Sequence, residues 1–256
     1  MNAFLDQMRL STEARIRDIK LCDALSPNRL DFMSIFSARN PVIAEIKFAS
    51  PSQGWIYSGN LNHVAIAEQY LHNNAVALSV LTEPEYFKGD IHYIADIRAQ
   101  FPSVPILLKD FIVSPEQIRQ ALQFGANAIL LIVNFLSIDE LSALYYEALQ
   151  LGLTPIIEVS NVTELQVVAR LLPKVILVNN RNLQTQKIDK QVSQRLISDR
   201  LNNTRMISAS GIASRKDIQS VFDQGYDACL IGTALMLHQH PGVALQKLLA
   251  GKDNES

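Results

Sequence analysis

Short apolar runs alternate along the chain with longer stretches in which apolar residues recur at helical spacing. Eight runs read as strands: 41-PVIAEIK-47, 77-ALSVLT-82, 105-PILLKD-110, 128-AILLIV-133, 154-TPIIEV-159, 175-VILVNN-180, 205-RMISAS-210 and 228-ACLIGT-233. Strands that alternate with helices of about ten residues or more make parallel βαβ units, and eight such units close into a (β/α)8 barrel. The expected fold is therefore a single α/β domain, residues 1–256, with this barrel architecture. Several runs carry a charge near their carboxyl end. The active site of such a barrel lies there, so the strand-terminal residues become the functional candidates.

Between the strands, 89–101, 114–126, 137–152 and 214–225 have helical patterning. Ser114 with Glu116 and Gln117 gives a capped start, and Gly125, Gly152 and Gly225 fall where helices stop. The first forty residues differ. Segment 2–21 has apolar positions at Phe4, Leu5, Met8, Ile16 and Ile19 and precedes the loop 25–29, so residues 1–40 are expected to form an amino-terminal helical extension that packs on the barrel or covers one end. No Gly/Ser-rich linker marks a second domain, and the tail 251–256 is expected to fray.

Strand parity then sorts the polar residues by face. Glu45 and Lys47 are two apart and share one face, and the only tolerable place for such charges is the interior near the barrel's mouth. The same reasoning brings Lys109, Glu158, Asn179, Arg181 and Ser210 to that mouth, an acid/base constellation with capacity for an anion. A structural alternative pairs Glu45 with Lys47 and Glu158 with Lys109 as buried ion pairs, which are weak stabilisers. After the seventh and eighth strands stand 210-SGI-212 and 232-GTALM-236. Gly211 and Gly232 would let backbone N–H groups approach a phosphate, Thr233 adds a hydroxyl, and 233–236 supplies a helix start; ordinary tight turns are the alternative.

Composition narrows the partner. The formal net charge is −2, with basic residues scattered, which argues against nucleic acid or an anionic membrane surface. No apolar stretch approaches the roughly 18 residues of a membrane span, and Asp6 interrupts any secretory leader. A cytoplasmic protein with a small phosphorylated partner, monomeric or weakly oligomeric, is expected. Cys22 and Cys229 lie far apart and outside any metal-binding pattern, and the five histidines avoid the strand ends, so no metal is expected.

At this point a family resemblance emerges. The run 44-AEIKFASPSQG-54 resembles the signature of indole-3-glycerol-phosphate synthases, close to AEIKRASPSKG, and similar matches continue through 80-VLTEPEYFKG-89, 105-PILLKDFIV-113, 125-GANAILLIV-133, 156-IIEV-159, 179-NNRNL-183, 208-SASGI-212 and 231-IGTALM-236. The resemblance implies a lyase of tryptophan biosynthesis that converts 1-(2-carboxyphenylamino)-1-deoxyribulose 5-phosphate into indole-3-glycerol phosphate without a cofactor. It implies Lys109 as the acid of ring closure, Glu158 and Lys47 as the pair serving dehydration, and Glu45 and Asn179 as residues orienting lysines and sugar hydroxyls. Lys47 and Arg181 would meet the substrate carboxylate, and Ser50 would join Gly211, Gly232 and Thr233 around phosphate. Pro51, Phe87, Phe111, Leu130 and Leu183, at or just beyond strand ends, would form the aromatic slot, although core packing is the commoner role for each.

The chain departs from the family pattern at identifiable positions. Ala209-Ser210-Gly211 stands where ESG is usual, Phe48 where an arginine, Gln53 where a lysine, Leu177 where a glycine, Ser160 where a histidine and Asn182 where an aspartate. Loss of the carboxylate at 209 makes the mouth more positive and should lower lysine pKa values. A divergent paralogue acting on another aromatic-amine sugar phosphate, and a non-catalytic ligand- or partner-binding barrel, are the alternative readings. The retained Lys47, Lys109 and Glu158 argue against the second.

Overall fold

The computed structural model describes residues 3–21 and 30–250. The expectations for Cys22, the 25–29 loop and the 251–256 tail concern residues outside those described. Eight parallel strands, β1 (Val42–Ile46), β2 (Ala77–Leu81), β3 (Ile106–Lys109), β4 (Ala128–Ile132), β5 (Thr154–Val159), β6 (Val175–Asn179), β7 (Arg205–Ala209) and β8 (Ala228–Ile231), close into a barrel in which β1 pairs with both β2 and β8. The eight apolar runs thus become eight neighbouring strands in chain order, each returned to the next by the polar-faced stretch between them. One such stretch is the helix Pro115–Phe124, where Gln117 accepts the Ser114 N–H at 3.2 Å and Gly125 ends the helix.

Alternation along each strand divides two hydrophobic groups. Val42, Ala44 and Ile46 pack outward under the helices, whereas Ile43 joins the barrel interior. Following the pairing register around the barrel gives interior layers of four, each from alternate strands. From the amino end upward they are Ala77, Ala128, Val175 and Ala228; then Ile43, Leu107, Ile156 and Ile207; then Ser79, Leu130, Leu177 and Leu230. The next layer is Glu45, Lys109, Glu158 and Ala209. Three of its four members are charged, so the apolar column ends there and the chemistry begins.

The amino-terminal segment covers both ends of the barrel, where the sequence suggested one. The 3-10 helix Phe32–Ser37 buries Phe32 and Ile35 against the lowest layer, whose alanines leave room, and Arg205 at the start of β7 lies 5.7 Å over the Phe36 ring. At the mouth lies α1 (Ala3–Ile16), with Leu5, Met8 and Thr12 buried. It stops at Ile16 rather than running to residue 21, because apolar spacing fails beyond that point: Arg17, Asp18, Lys20 and Leu21 are exposed. No helix among the described residues is long and apolar enough to cross a membrane.

Candidate active site

Parity along β1 sends Glu45 and Lys47 inward, and the lysine ammonium lies 2.9 Å from Glu45 Oε1. Ser79 Oγ donates to the other oxygen at 3.5 Å. Burial pushes the Glu45 carboxyl up, but Lys47, Lys109 and the Ser79 hydroxyl outweigh it and hold the carboxyl below its ordinary range. Glu45 is therefore ionised, a fixed negative charge between two ammonium groups.

Across the mouth Lys109, at the end of β3, faces Glu158 of β5 at 3.7 Å, longer than a hydrogen bond. Glu158 is 3% exposed. Its Oε1 accepts from Asn179 Nδ2 at 2.8 Å, which fixes the carboxyl plane, while buried Oε2 has no hydrogen-bond partner. Asn179 in turn accepts from Ser210 Oγ at 2.8 Å and from the Arg181 N–H at 3.0 Å. One side chain of β6 thereby links the acid of β5 to the loop after β7. Ser210 itself has φ 69°, an uncommon backbone for a residue with a side chain.

Above this ring opens a cleft of about 260 Å³. Glu45, Lys47, Ser50, Pro51, Phe87, Lys109, Phe111, Asn179, Arg181, Leu183, Ser210, Gly211, Gly232 and Thr233 line it, and Glu158 lies beneath. Leu130 is not brought there. It lies mid-strand in β4, 1% exposed, one layer below Lys109 in the barrel core, so core packing describes it.

The cleft has an apolar end and a polar end. Phe111 meets Phe87 at 6.3 Å and Phe135 at 5.0 Å, and Phe4 of α1 enters the lining, held edge-on by Tyr86 at 5.4 Å. At the other end lie Gly211 and the start of the short helix Thr233–Met236, whose first N–H groups have no helical acceptor. Ser50 Oγ, buried beside them, has no hydrogen-bond partner. Gly232 is required for a reason other than anion approach: a Cβ there would stand 2.3 Å from Glu45 Oε1. Arg181 bridges the two sides, donating to Gln186 O at 2.9 Å and Ser52 Oγ at 3.4 Å; burial lowers its pKa, opposed by Glu45.

Several departures from the family pattern find a local account. Phe48 is the centre of an aromatic cluster with Trp55, Tyr57 and Tyr93, at 5.8–5.9 Å between ring centroids. It anchors the hairpin formed by Ala49–Ser50 and Gly54–Trp55. Asn182 accepts the N–H groups of Gln184 and Thr185, and Ser160 donates to Glu164 at the start of a helix. Ala209 completes the charged ring without a charge.

Sequence reasoning missed Phe4, Asp110 and Glu83. Helical spacing puts Phe4 on an apolar face, but nothing local indicates which end of the barrel that face covers. Asp110 points away from Lys109 and is 6% exposed, gripped by Arg15 at 2.9 and 3.1 Å and by Thr82 Oγ1 at 2.7 Å. An acid of outward parity under a helix was the available signal; its partner, far back in the chain, was not. Among the described residues no group of three or more His, Cys, Asp or Glu is placed to hold a metal ion. Cys229 is buried in β8, its thiol pushed up to about 12 by burial, and is unsuited to nucleophilic work.

Known proteins resemble this chain over most of its length. Residues 5–248 match the family model described as Indole-3-glycerol phosphate synthase. The indole-3-glycerol phosphate synthase of Listeria monocytogenes serovar 1/2a is 36% identical over 249 residues, covering 96% of this chain and 98% of that protein. That of Polynucleobacter asymbioticus is 38% identical over 216 residues, 84% of this chain and 80% of that protein. Among solved structures, 3-hexulose-6-phosphate synthase from Salmonella typhimurium superposes with a TM-score of 0.64 at 13% identity, over 83% of this chain and all of that one, a likeness of fold alone. The chain belongs to the indole-3-glycerol phosphate synthase family.

Proposed function

We propose that this chain closes the pyrrole ring of 1-(2-carboxyphenylamino)-1-deoxyribulose 5-phosphate, with loss of carbon dioxide and water, to give indole-3-glycerol phosphate. The observation that carries the reading is the layer in which Glu45, Lys109 and Glu158 converge, with Lys47 directly above, between an aromatic slot and an anion cradle. The phosphate sits at Ser50, Gly211, Gly232 and Thr233. The carboxyphenyl group lies against the Phe87 and Phe111 pair, with Pro51 and Leu183 at the edge. Fixing both ends folds the substrate so that its ring carbon meets its own carbonyl, and such positioning supplies much of the rate of an intramolecular condensation.

Lys109 protonates the carbonyl oxygen as the ring carbon bearing the carboxylate forms the new carbon–carbon bond. The bond to the carboxylate then breaks, carbon dioxide leaves, and the aromatic ring is restored. Lys47 and Arg181 hold that carboxylate until it departs. In the second half the amine proton passes to Glu158 while the hydroxyl leaves with a proton from Lys47 as water. Transfer of a proton from the adjacent methylene to nitrogen completes the indole. The 3.7 Å gap between Lys109 and Glu158 suits this cycle. A bound carbonyl oxygen competes for the ammonium, and Glu158 can return its proton to the neutral amine afterwards.

Mixing purified protein with this substrate, without added metal, and following indole fluorescence tests the proposal. Turnover that disappears in Lys109→Ala supports it; ligand binding without turnover in the unaltered protein overturns it. The same reading makes the chain an enzyme of the cytoplasm, where phosphorylated intermediates are kept, and one whose site is complete within a single copy.

A further inference from the structure

Glu83, just beyond β2, is wholly buried yet does not line the cleft. Its Oε1 accepts the N–H of Glu85 at 2.9 Å, and its Oε2 accepts those of Tyr86 at 2.8 Å and Phe87 at 3.0 Å. Its carbonyl accepts the N–H of Gly89 at 2.8 Å. The chain returns there so closely that a Cβ on Gly89 would stand 2.2 Å from Leu81 O. The loop is thus folded around a single carboxylate.

The captured amides belong to residues that shape the mouth. Tyr86 supports Phe4, and Phe87 packs on Phe111 in the cleft lining. The Phe87 carbonyl accepts the N–H of Ala49 at 3.2 Å, and Ala49 pairs with Trp55, the only tryptophan in the chain. Three convergent donors require an acceptor-only group, which an ionised carboxylate is and an amide is not.

We propose that Glu83 is a positioning residue for the reaction: by templating the 84–89 loop it sets Phe87 against the aryl group of the substrate. This rests on the reading of Phe87 and Phe111 as the aryl slot. Glu83→Gln keeps the shape but turns an NH2 group toward at least one N–H, leaving a buried donor unpaired.

The test compares wild type, Glu83→Gln, Phe87→Ala and the double variant, each shown to be folded by circular dichroism and thermal melting. For Glu83→Gln, KM for the carboxyphenylamino substrate is expected to rise about tenfold, with kcat changed much less. Because the effect passes through Phe87, the double variant should be no worse than Phe87→Ala alone. The emission of Trp55, 64% exposed in the adjoining hairpin, should shift in Glu83→Gln without ligand. A folded Glu83→Gln with wild-type KM and a lower melting temperature would make Glu83 structural only and overturn the inference, as would KM effects that multiply in the double variant. Absence of turnover in the wild type would instead overturn the proposed function, and this inference with it.

Discussion

At the scale of single residues, the mouth separates a tight ion pair from a loose one. Lys47 is held by Glu45 at 2.9 Å, whereas Lys109 stands 3.7 Å from Glu158 and is the freer donor. Lys109→Ala is accordingly expected to lower kcat by about 10²-fold or more while leaving inorganic phosphate binding intact, measured by single-turnover indole fluorescence and by calorimetric titration with phosphate. Loss of phosphate binding with normal turnover of bound substrate would contradict the assignment. Ala209→Glu is expected to raise kcat/KM, because a carboxylate completing the ring favours the ammonium forms of Lys47 and Lys109. An unchanged value would mean that the missing charge is compensated elsewhere in the site. Most of this chemistry is legible in the sequence, since strand parity alone sends Glu45, Lys47, Lys109, Glu158 and Asn179 to one face. Leu130 shows the limit: its parity is inward, but parity says nothing of height, and one layer separates the site from the core.

Among elements, α1 is legible as a helix and illegible as a lid. Its buried face follows from the spacing of Leu5 and Met8, but its position depends on contacts across the chain: Arg15 with Asp110, and Arg9 with Glu140 and the Phe135 carbonyl. Glu140 also closes the capping box of the helix Ile138–Gln150 by accepting from Ser137. The Arg9 hydrogen bond holds the Glu140 carboxyl down at about 2, against an ordinary 4.5. A depressed carboxylate contributes its stability above the unfolded-state value and loses it as pH falls toward the folded one. The stability advantage of wild type over Glu140→Gln is therefore expected to be full above about pH 4.5 and to fade between there and pH 2, checked by urea unfolding across that range. A constant difference would detach Glu140 from the docking of α1. The Glu83 loop is illegible for a different reason: its contacts are local, but three backbone N–H groups converging on one acid leave no mark in a hydropathy pattern.

For the whole molecule, barrel closure places strand ends from distant parts of the sequence around one opening, so ligand binding should brace the entire fold. Inorganic phosphate is expected to raise the melting temperature with a logarithmic dependence on concentration, in the manner of a ligand that binds only the folded state. Thr233→Ala should weaken that dependence, and an identical phosphate response in the variant would remove Thr233 from the cradle. The architecture itself is readable because eight runs in unbroken alternation admit few topologies, whereas the two-ended cover by residues before β1 rests on long-range contacts that no local pattern encodes. The missing side chain of Gly232 ties the two ends of the opening together. The space that a methyl group would occupy is filled by the Glu45 carboxylate, so a residue of the proposed phosphate cradle is in direct contact with the fixed negative charge of the site. The site is consequently not modular. A lineage or a designer altering position 232 to accept a different anion would at the same stroke disturb the charge that steadies both lysines, and selectivity and proton chemistry would have to change together.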